Sequence, residues 1–319
     1  MSLFSRKKKN LWKITLGIYL GNLEFPLLIE RRCVNYMTKK YNFYFAGCGN
    51  KSTEKTLREN DCCRLLSWVN EKKVIEERSA NGYKTFVDSG AFSAYTKGID
   101  IDIDDYIAWI NRWHPYVERY AAWDVIPSDK VSVEESARQT WQNYQYMKTK
   151  VTDPSKLVYC FHVGEDITYL LQALKSGIDF IALGGLAKKG KKQREEFLEL
   201  VEPIFEEFPN VHVHVFGMGS MPIIQRFKFI DSSDSTTPFF PAKHGRIQTD
   251  SCGNVYFGED VDNEKHSKEA FVNMLPSHKM LIEQEVRQRG FTIEDMYTNI
   301  SRQDYQIIYW KEKTDKIQR

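Results

Sequence analysis

Three aspartates stand where apolar runs of the sequence end, and carboxylates in such places can do acid–base or nucleophilic chemistry. Asp88 ends "KTFVD", Asp124 ends "RYAAWD" and Asp234 ends "FKFIDSSD". A single aspartate beside serine and glycine also favours an ordinary turn. Three carboxylates brought together repel one another, and that cost persists where a substrate, a cation or a shared proton uses them.

Glycines and an aromatic residue accompany these aspartates. Gly90 would let a ligand approach the backbone beside Asp88, and Phe92 offers a ring for stacking. Gly184 and Gly185 fit two alternatives: close packing of a strand on a helix, or room for backbone amides to reach the edge of a flat ligand. The residues alone leave both open.

A basic loop follows the two glycines. It contains four lysines and one arginine: Lys188, Lys189, Lys191, Lys192 and Arg194. Such a run is commonly just a solvated loop. A basic loop that leaves the C-terminal end of a strand is also where a phosphate backbone would be held.

The histidines differ in what their positions indicate. His212 and His214 alternate with valines in "VHVHVFG" and therefore share one face of a strand. Without a third ligand at suitable spacing, two structural histidines are favoured over a metal pair. His162 stands at a strand end before a glycine and is the stronger functional candidate, with a buried core imidazole as the alternative. We expect no metal and no cofactor.

The six cysteines contain no CxxC pair. Their spacing therefore indicates free thiols in a reducing compartment and no zinc ribbon. We expect a cytoplasmic protein. A formal charge of +2 neither announces nor excludes a nucleic-acid partner.

Apolar runs of strand length alternate with amphipathic helical stretches over most of the chain. The predicted strands are 43–48, 84–90, 119–127, 157–164, 179–186, 211–219 and 227–234. Their low charge is typical of strands covered on both faces, and the alternation implies parallel βαβ units. A doubly wound sheet fits this rhythm too. Because nearly every strand ends in polar or glycine residues, which a barrel gathers on one face, we predict an α/β protein with a (β/α)8 TIM-like barrel.

Three segments follow from this pattern. Residues 1–36 are predicted to be an extension outside the fold, with Met37 as an alternative start of the native protein. Charged and polar residues interrupt its apolar run well short of the roughly 20 residues of a spanning helix, so we expect no membrane segment. Residues 37–260 would form the barrel and 261–319 a C-terminal helical segment.

The strand ends, taken together, resemble the guanine transglycosylase family, whose members exchange guanine in nucleic acid for a 7-deazaguanine. The match runs from about Tyr44 to Gly245, with the motifs in the family's order. They are "DSGAFS" (88–93), "WDVIP" (123–127), "FHVGE" (161–165), "ALGGLA" (182–187), "VFGMGS" (215–220) and "IDSSDSTTPFFPAKHG" (230–245).

The resemblance implies a role for each matching residue. The nucleophile would be Asp234 and the general acid/base Asp88. The substrate-binding residues would be Ser89, Gly90, Phe92, Asp124, His162, Gly184, Gly185 and Phe216, with Phe92 and Phe216 sandwiching the base. Lys243 stands where the family has an arginine near phosphate.

Departures from the family pattern bear on the substrate. The zinc motif that follows the barrel in the tRNA enzymes is absent, with Cys252 alone in that region, and Phe239 and Phe240 replace a Thr-Arg pair. We therefore expect no zinc subdomain and a resemblance to the phage and genomic-island enzymes that act on DNA.

The expected activity is exchange of guanine in DNA for a preQ0-like 7-deazaguanine through a covalent aspartyl intermediate. The alternatives are tRNA as substrate, a non-catalytic nucleic-acid-binding barrel, and a hydrolase using the same carboxylates. A homodimer or a partner subunit stays open.

Overall fold

A closed barrel of eight parallel strands forms the centre of the computed structural model, which describes residues 40–47 and 51–319. The strands follow one another around the barrel in chain order, and β1 pairs with β8 to close it. They are β1 (Asn42–Ala46), β2 (Cys63–Ser67), β3 (Thr85–Asp88), β4 (Arg119–Ala121), β5 (Leu157–His162), β6 (Phe180–Gly184), β7 (His212–Val215) and β8 (Ser232–Ser235). The predicted (β/α)8 barrel is confirmed. The proposed extension, residues 1–36, lies outside the described residues.

Helices follow the barrel strands and continue after β8. They are α1 (Lys51–Glu59), α2 (Trp68–Ala80), α3 (Ala91–Lys97), α4 (Ile103–Trp113), α5 (Val133–Lys150), α6 (Ile167–Lys175), α7 (Lys191–Glu207), α8 (Met221–Arg226), α9 (Phe239–Lys243), α10 (Glu264–Ser267), α11 (Pro276–Gln288) and α12 (Asn299–Asp315). Asp102, Ser132 and Asp166 cap α4, α5 and α6 by accepting a hydrogen bond from a first-turn amide. None of these helices is both long enough and apolar enough to cross a membrane.

Alternation of side chains along each strand divides the core into two parts. In β1, Phe43 and Phe45 pack outward against the helices, while Tyr44 and Ala46 join the cluster that fills the barrel. His214 of β7 lies among interior aromatic rings, with its ring centroid 4.9 Å from that of Phe86. The barrel interior is therefore a packed core rather than a channel.

Several strands differ from the sequence-based prediction, and two of them, β4 and β7, end at Ala121 and Val215 rather than at residues 127 and 219. β2 was not predicted, because Arg64, its second residue, interrupts the apolar pattern of the segment. In the structure, Arg64 is fully buried and pairs with Glu54 on α1. The strand predicted at 227–234 was wrong in its first half, since β8 covers Ser232–Ser235 alone. The phenylalanines before it pack into the core from a turn, with the ring centroids of Phe227 and Phe229 6.1 Å apart.

The segment after residue 260 is helical, as predicted, and its last helix belongs to the barrel's outer layer. It follows a hairpin of β9 (Arg246–Thr249) and β10 (Gly253–Tyr256). The Trp310 ring of α12 stacks on Phe43 of β1 with centroids 5.3 Å apart. Arg302 of α12 donates from Nε to the Ala242 carbonyl at 2.9 Å.

Candidate active site

The three predicted aspartates meet at the C-terminal rim of the barrel, where enzymes of this fold carry their active sites. Asp88 ends β3, Asp124 follows β4 by three residues, and Asp234 lies in β8. The charges of Asp124 and Asp234 are both near enough to raise the pKa of Asp88. The expectation that these carboxylates lie together on one face is confirmed.

Asp234 is buried, and one of its two oxygens is held firmly. Its Oδ1 lies 3.2 Å from Nε2 of the fully buried His214 and accepts a hydrogen bond from the Gly217 amide at 3.0 Å. Its Oδ2 has no hydrogen-bond partner in the part of the chain that the structure describes. A cavity of about 390 Å³ adjoins Asp234. The carboxylate is thus fixed by one oxygen and available through the other.

Asp88 is a carboxyl group that titrates near neutral pH. Burial raises the pKa of Asp88 most, and the charges of Asp124 and Asp234 raise it further. A hydrogen bond from the Gly90 amide lowers it, and the resulting pKa is about 7. No cation pairs with Asp88 in the described part of the chain. A carboxyl group in this state can give a proton to a leaving group and take one back.

A chain of hydrogen bonds crosses the rim from β3 to β5. Ser89 Oγ donates to Asp124 Oδ1 at 3.1 Å, and His162 Nε2 lies 3.1 Å from Asp124 Oδ2. The other ring nitrogen of His162 lies 3.0 Å from Glu165 Oε1. Burial lowers the pKa of His162, but the hydrogen bonds to Asp124 and Glu165 outweigh it and raise it to about 10. His162 is therefore an imidazolium between two carboxylates.

Helix α5 fixes the segment that carries Asp124. The Val125 amide donates to Thr140 Oγ1 at 2.9 Å, and Asn143 donates from its side-chain amide to the Trp123 carbonyl at 3.1 Å. Both partners lie on α5 and hold the residues on either side of Asp124. The irregular segment after β4 is therefore as well anchored as a strand end.

The structure gives the predicted glycines definite roles. A Cβ on Gly184 would come within 2.4 Å of His162 Cδ2, so this glycine makes room for the imidazole ring. Gly185 has a φ of +78°, and a Cβ there would meet Val163 at 2.8 Å. Gly90, with φ +81°, lies against Ser67 and Val69 in the same way. The need for glycine at these positions arises within the protein itself.

The two aromatic residues expected to sandwich a base lie in different surroundings. Phe216 packs over the barrel interior, with its ring centroid 4.9 Å from that of His214. Phe92 in α3 is 47% exposed, and Lys188 Nζ lies 4.6 Å from its ring centroid. The sandwich itself stays a prediction. The contact does bring the basic loop to the segment that follows Asp88.

The lysines predicted to contact phosphate are all exposed. Lys188 and Lys189 lie in the loop after β6, and Lys191 and Lys192 lie in the first turn of α7. Lys192 pairs with Glu196 on its own helix at 3.7 Å. Lys243 is exposed at the end of α9.

Sequence reasoning missed two residues of the site. His214 was interpreted as structural, but it holds Asp234; its position in β7 opposite Ser232, two residues before Asp234, was the available signal. Glu165 was not singled out, although its spacing of three from His162 suits the tight turn that lets Glu165 Oε2 accept the His162 amide. In the described residues, no group of three or more His, Cys, Asp or Glu side chains is arranged to hold a metal ion.

Comparison with protein-family models and with curated proteins found no match to this chain. The chemistry of the site must therefore be argued from its own geometry. That geometry combines an anchored carboxylate with a free oxygen, a carboxyl group that titrates near neutrality, and a charged imidazole between two carboxylates.

Proposed function

We propose that this chain is a base-exchange transglycosylase that replaces guanine in DNA with a 7-deazaguanine of the preQ0 type. The observation that carries the proposal is the pairing of two unlike carboxyl groups at one rim. Asp234 presents a free oxygen beside a cavity, and Asp88 has a pKa of about 7. Two carboxyl groups that differ in this way suit nucleophilic and acid–base roles in glycosidic chemistry.

In the first half of the reaction, Asp234 Oδ2 attacks C1′ of the target nucleoside. The C1′–N9 bond breaks, an ester bond forms between Asp234 and C1′, and the bonding electrons leave with guanine. Asp88 supplies the proton that the departing base needs. The Gly217 amide and His214 keep Oδ1 in place, so the attacking oxygen stays aimed while the sugar approaches.

In the second half, the incoming base replaces guanine. Asp88, now ionised, takes the proton from the ring nitrogen of the incoming 7-deazaguanine, and that nitrogen attacks C1′. The ester bond to Asp234 breaks, and Asp88 regains its protonated form. One glycosidic bond replaces another, so the exchange consumes no nucleotide.

Base recognition falls to the hydrogen-bonded chain of Ser89, Asp124 and His162. Both oxygens of Asp124 are engaged, one by Ser89 and one by His162. Each of these oxygens has a further lone pair, so a base can donate to Asp124 while Ser89 and His162 stay in place. Both N–H groups of His162 already face Asp124 and Glu165, so the imidazolium acts on the base through Asp124, whose position and charge it fixes.

Two features favour DNA over tRNA. Phe240, which stands where the resemblance expects an arginine near phosphate, is 64% exposed and packs against His244. Residues 246–319 contain one cysteine, so the cysteine-based zinc motif that helps the tRNA enzymes engage their substrate is missing there. Neither feature bears on the chemistry at C1′.

The experiment is incorporation of labelled guanine into duplex DNA, single-stranded DNA and tRNA, with Asp234→Asn as the control. We expect label in DNA with the wild-type protein and none with the variant. Label in tRNA alone would overturn the choice of DNA. Free base released without incorporation would indicate a hydrolase, and wild-type protein inactive on all three substrates would contradict base exchange.

A further inference from the structure

A second feature of the rim is the cavity beside Asp234, to which the proposed reaction assigns no bound group. Its volume of about 390 Å³ lies in the range of about 300–1,000 Å³ usual for small-molecule sites. It is lined by the end of β8, the first turn of α7, and residues that follow β6, β7 and β8. Asp234 occupies one part of its wall and Arg194 another, so a ligand there would meet both a carboxylate and a guanidinium.

Arg194 is built into this wall. Its Nε donates to the Leu186 carbonyl at 3.1 Å and its Nη2 to the Ala187 carbonyl at 2.9 Å. These bonds fix the plane of the guanidinium. No carboxylate lies within salt-bridge distance of Arg194 in the part of the chain that the structure describes. An arginine that is oriented by backbone and lacks a counter-ion is suited to an anionic ligand.

Hydroxyl groups line the same cavity as Arg194. Ser235 Oγ and Thr237 Oγ1 are 2.7 Å apart, and Ser220 adds a further hydroxyl. A Cβ on Gly219 would come within 2.4 Å of Thr237 Oγ1 and 2.6 Å of Ser235 Oγ. Glycine at this position is therefore what allows the hydroxyl pair to stand against the loop after β7.

We propose that Arg194 and the Ser235–Thr237 hydroxyl pair bind one phosphodiester of the nucleic acid, next to the nucleoside whose C1′ faces Asp234. The inference rests on the proposed function for the identity of the nucleoside. The Asp234 carboxylate disfavours an anion at its own part of the cavity, so the sugar lies there and the phosphate lies toward Arg194. The exposed lysines then act at longer range, and Arg194 sets the register of the strand.

The test is equilibrium binding of a fluorescent single-stranded oligodeoxynucleotide to Arg194→Met, Thr237→Val and the control Lys175→Met. Lys175 is an exposed cation at the end of α6, outside the cavity. We expect Arg194→Met to weaken binding by about tenfold or more and to reduce the slope of log K against log salt by about 1. Thr237→Val should weaken binding less, and Lys175→Met should match wild type.

An oligonucleotide with one uncharged methylphosphonate linkage beside the target guanine identifies the contact. The modified linkage should weaken binding to the wild-type protein as much as Arg194→Met does, and should not weaken the Arg194→Met protein further. If the modified linkage and Arg194→Met weakened binding independently, so that their effects multiplied, the proposal would be overturned. So would binding by Arg194→Met that equals wild type.

One further measurement distinguishes a phosphate of the strand from that of a free nucleotide. Another distinguishes this inference from the proposed function. The first probe is deoxyguanosine 5′-monophosphate. If it binds through Arg194 without competing with the oligonucleotide, the strand-binding role is overturned. If it competes with the oligonucleotide, the strand-binding role is supported. Because binding is measured without turnover, Arg194-dependent binding in a protein that exchanges no base would contradict the proposed function alone. Exchange with an unchanged KM for DNA in Arg194→Met would contradict this inference alone.

Discussion

Two partly buried carboxyl groups in this molecule have opposite electrostatic surroundings. Glu54 on α1 lies among three arginines, with Arg58 at 3.0 Å, Arg64 at 2.5 Å and Arg78 at 2.6 Å. Burial raises the pKa of Glu54, but Arg64 and Arg78 outweigh it and hold the pKa below its usual value. Asp88 at the rim has carboxylates as its charged neighbours and a pKa of about 7.

The comparison shows which carboxyl group the protein neutralises with its own basic residues and which it does not. Outside the barrel, between α1, α2 and β2, a carboxylate is neutralised by its own protein. At the rim, Asp88 is left with a proton that a substrate can use. Uncompensated groups that persist in a folded protein mark functional sites, because stability alone would not keep them.

The largest expected effect comes from Asp88→Asn. The amide keeps the shape of the side chain but cannot donate and recover a proton, so base exchange should fall by about 100- to 10,000-fold. The measurement is the initial rate of guanine exchange, with circular dichroism to confirm folding. A variant that retains more than a tenth of the activity would show that another group carries the proton.

The converse result is expected of Glu54→Gln. This change leaves Arg78 buried without its carboxylate and Arg64 with the more distant Glu71 at 3.8 Å, and should lower the free energy of unfolding by about 3–5 kcal/mol. Exchange activity per folded molecule should stay near that of wild type. Denaturant titration gives the stability, and loss of activity in the folded fraction would mean that the two regions are coupled.

A smaller effect is expected of His214→Gln. The variant loses the geometry that holds Asp234 Oδ1, and we expect kcat to fall by about tenfold while KM for the incoming base changes little. Rates at saturating base separate the two parameters. An unchanged kcat would reduce His214 to a core residue, as the sequence first indicated.

The pH dependence of stability gives the most specific effect. Folding raises the pKa of Asp88 from 3.8 to about 7, so the folded state binds this proton more tightly than the unfolded chain does. The contribution of Asp88 is therefore greatest below about pH 4 and is lost as pH rises through 7. Relative to wild type, Asp88→Asn should gain about 4 kcal/mol in stability between pH 4 and pH 7, because the pKa of Asp88 rises from 3.8 to about 7 on folding and each pKa unit corresponds to about 1.4 kcal/mol.

The same titration has a kinetic counterpart. Because the first half of the reaction needs Asp88 protonated in the free enzyme, kcat/KM for the nucleic acid should decline as pH rises above about 7. A stability difference that levels off near the pH at which the rate begins to decline would tie the two observations to one group. A flat stability difference between pH 4 and pH 7 would mean that Asp88 is not the group that titrates.

The sequence predicted the barrel well because its signal is repeated. Apolar runs that end in polar or glycine residues occur around the whole chain, and a closed parallel sheet is the arrangement that brings those ends together. Segments without that signal were missed. β2 carries Arg64, whose burial depends on Glu54, a partner ten residues earlier that no local pattern reveals.

The sequence predicted which positions form the site but not which residues contact them. Of the two aspartates in "IDSSD", Asp231 accepts a hydrogen bond from the Val213 amide at 2.9 Å, while Asp234 reaches the cavity. Gly184 was noted as leaving space, but the sequence could not say that the space belongs to His162. Such facts depend on which strands become neighbours, so they follow only from the closed barrel.

The most direct test of the account is the mass of the protein after it is mixed with a guanine-containing oligodeoxynucleotide and denatured. We predict an adduct equal to protein plus oligonucleotide minus guanine, with the bond mapped to Asp234 and absent from Asp234→Asn. An adduct on Asp88, or active protein that never forms one, would contradict the assignment of Asp234 as the nucleophile.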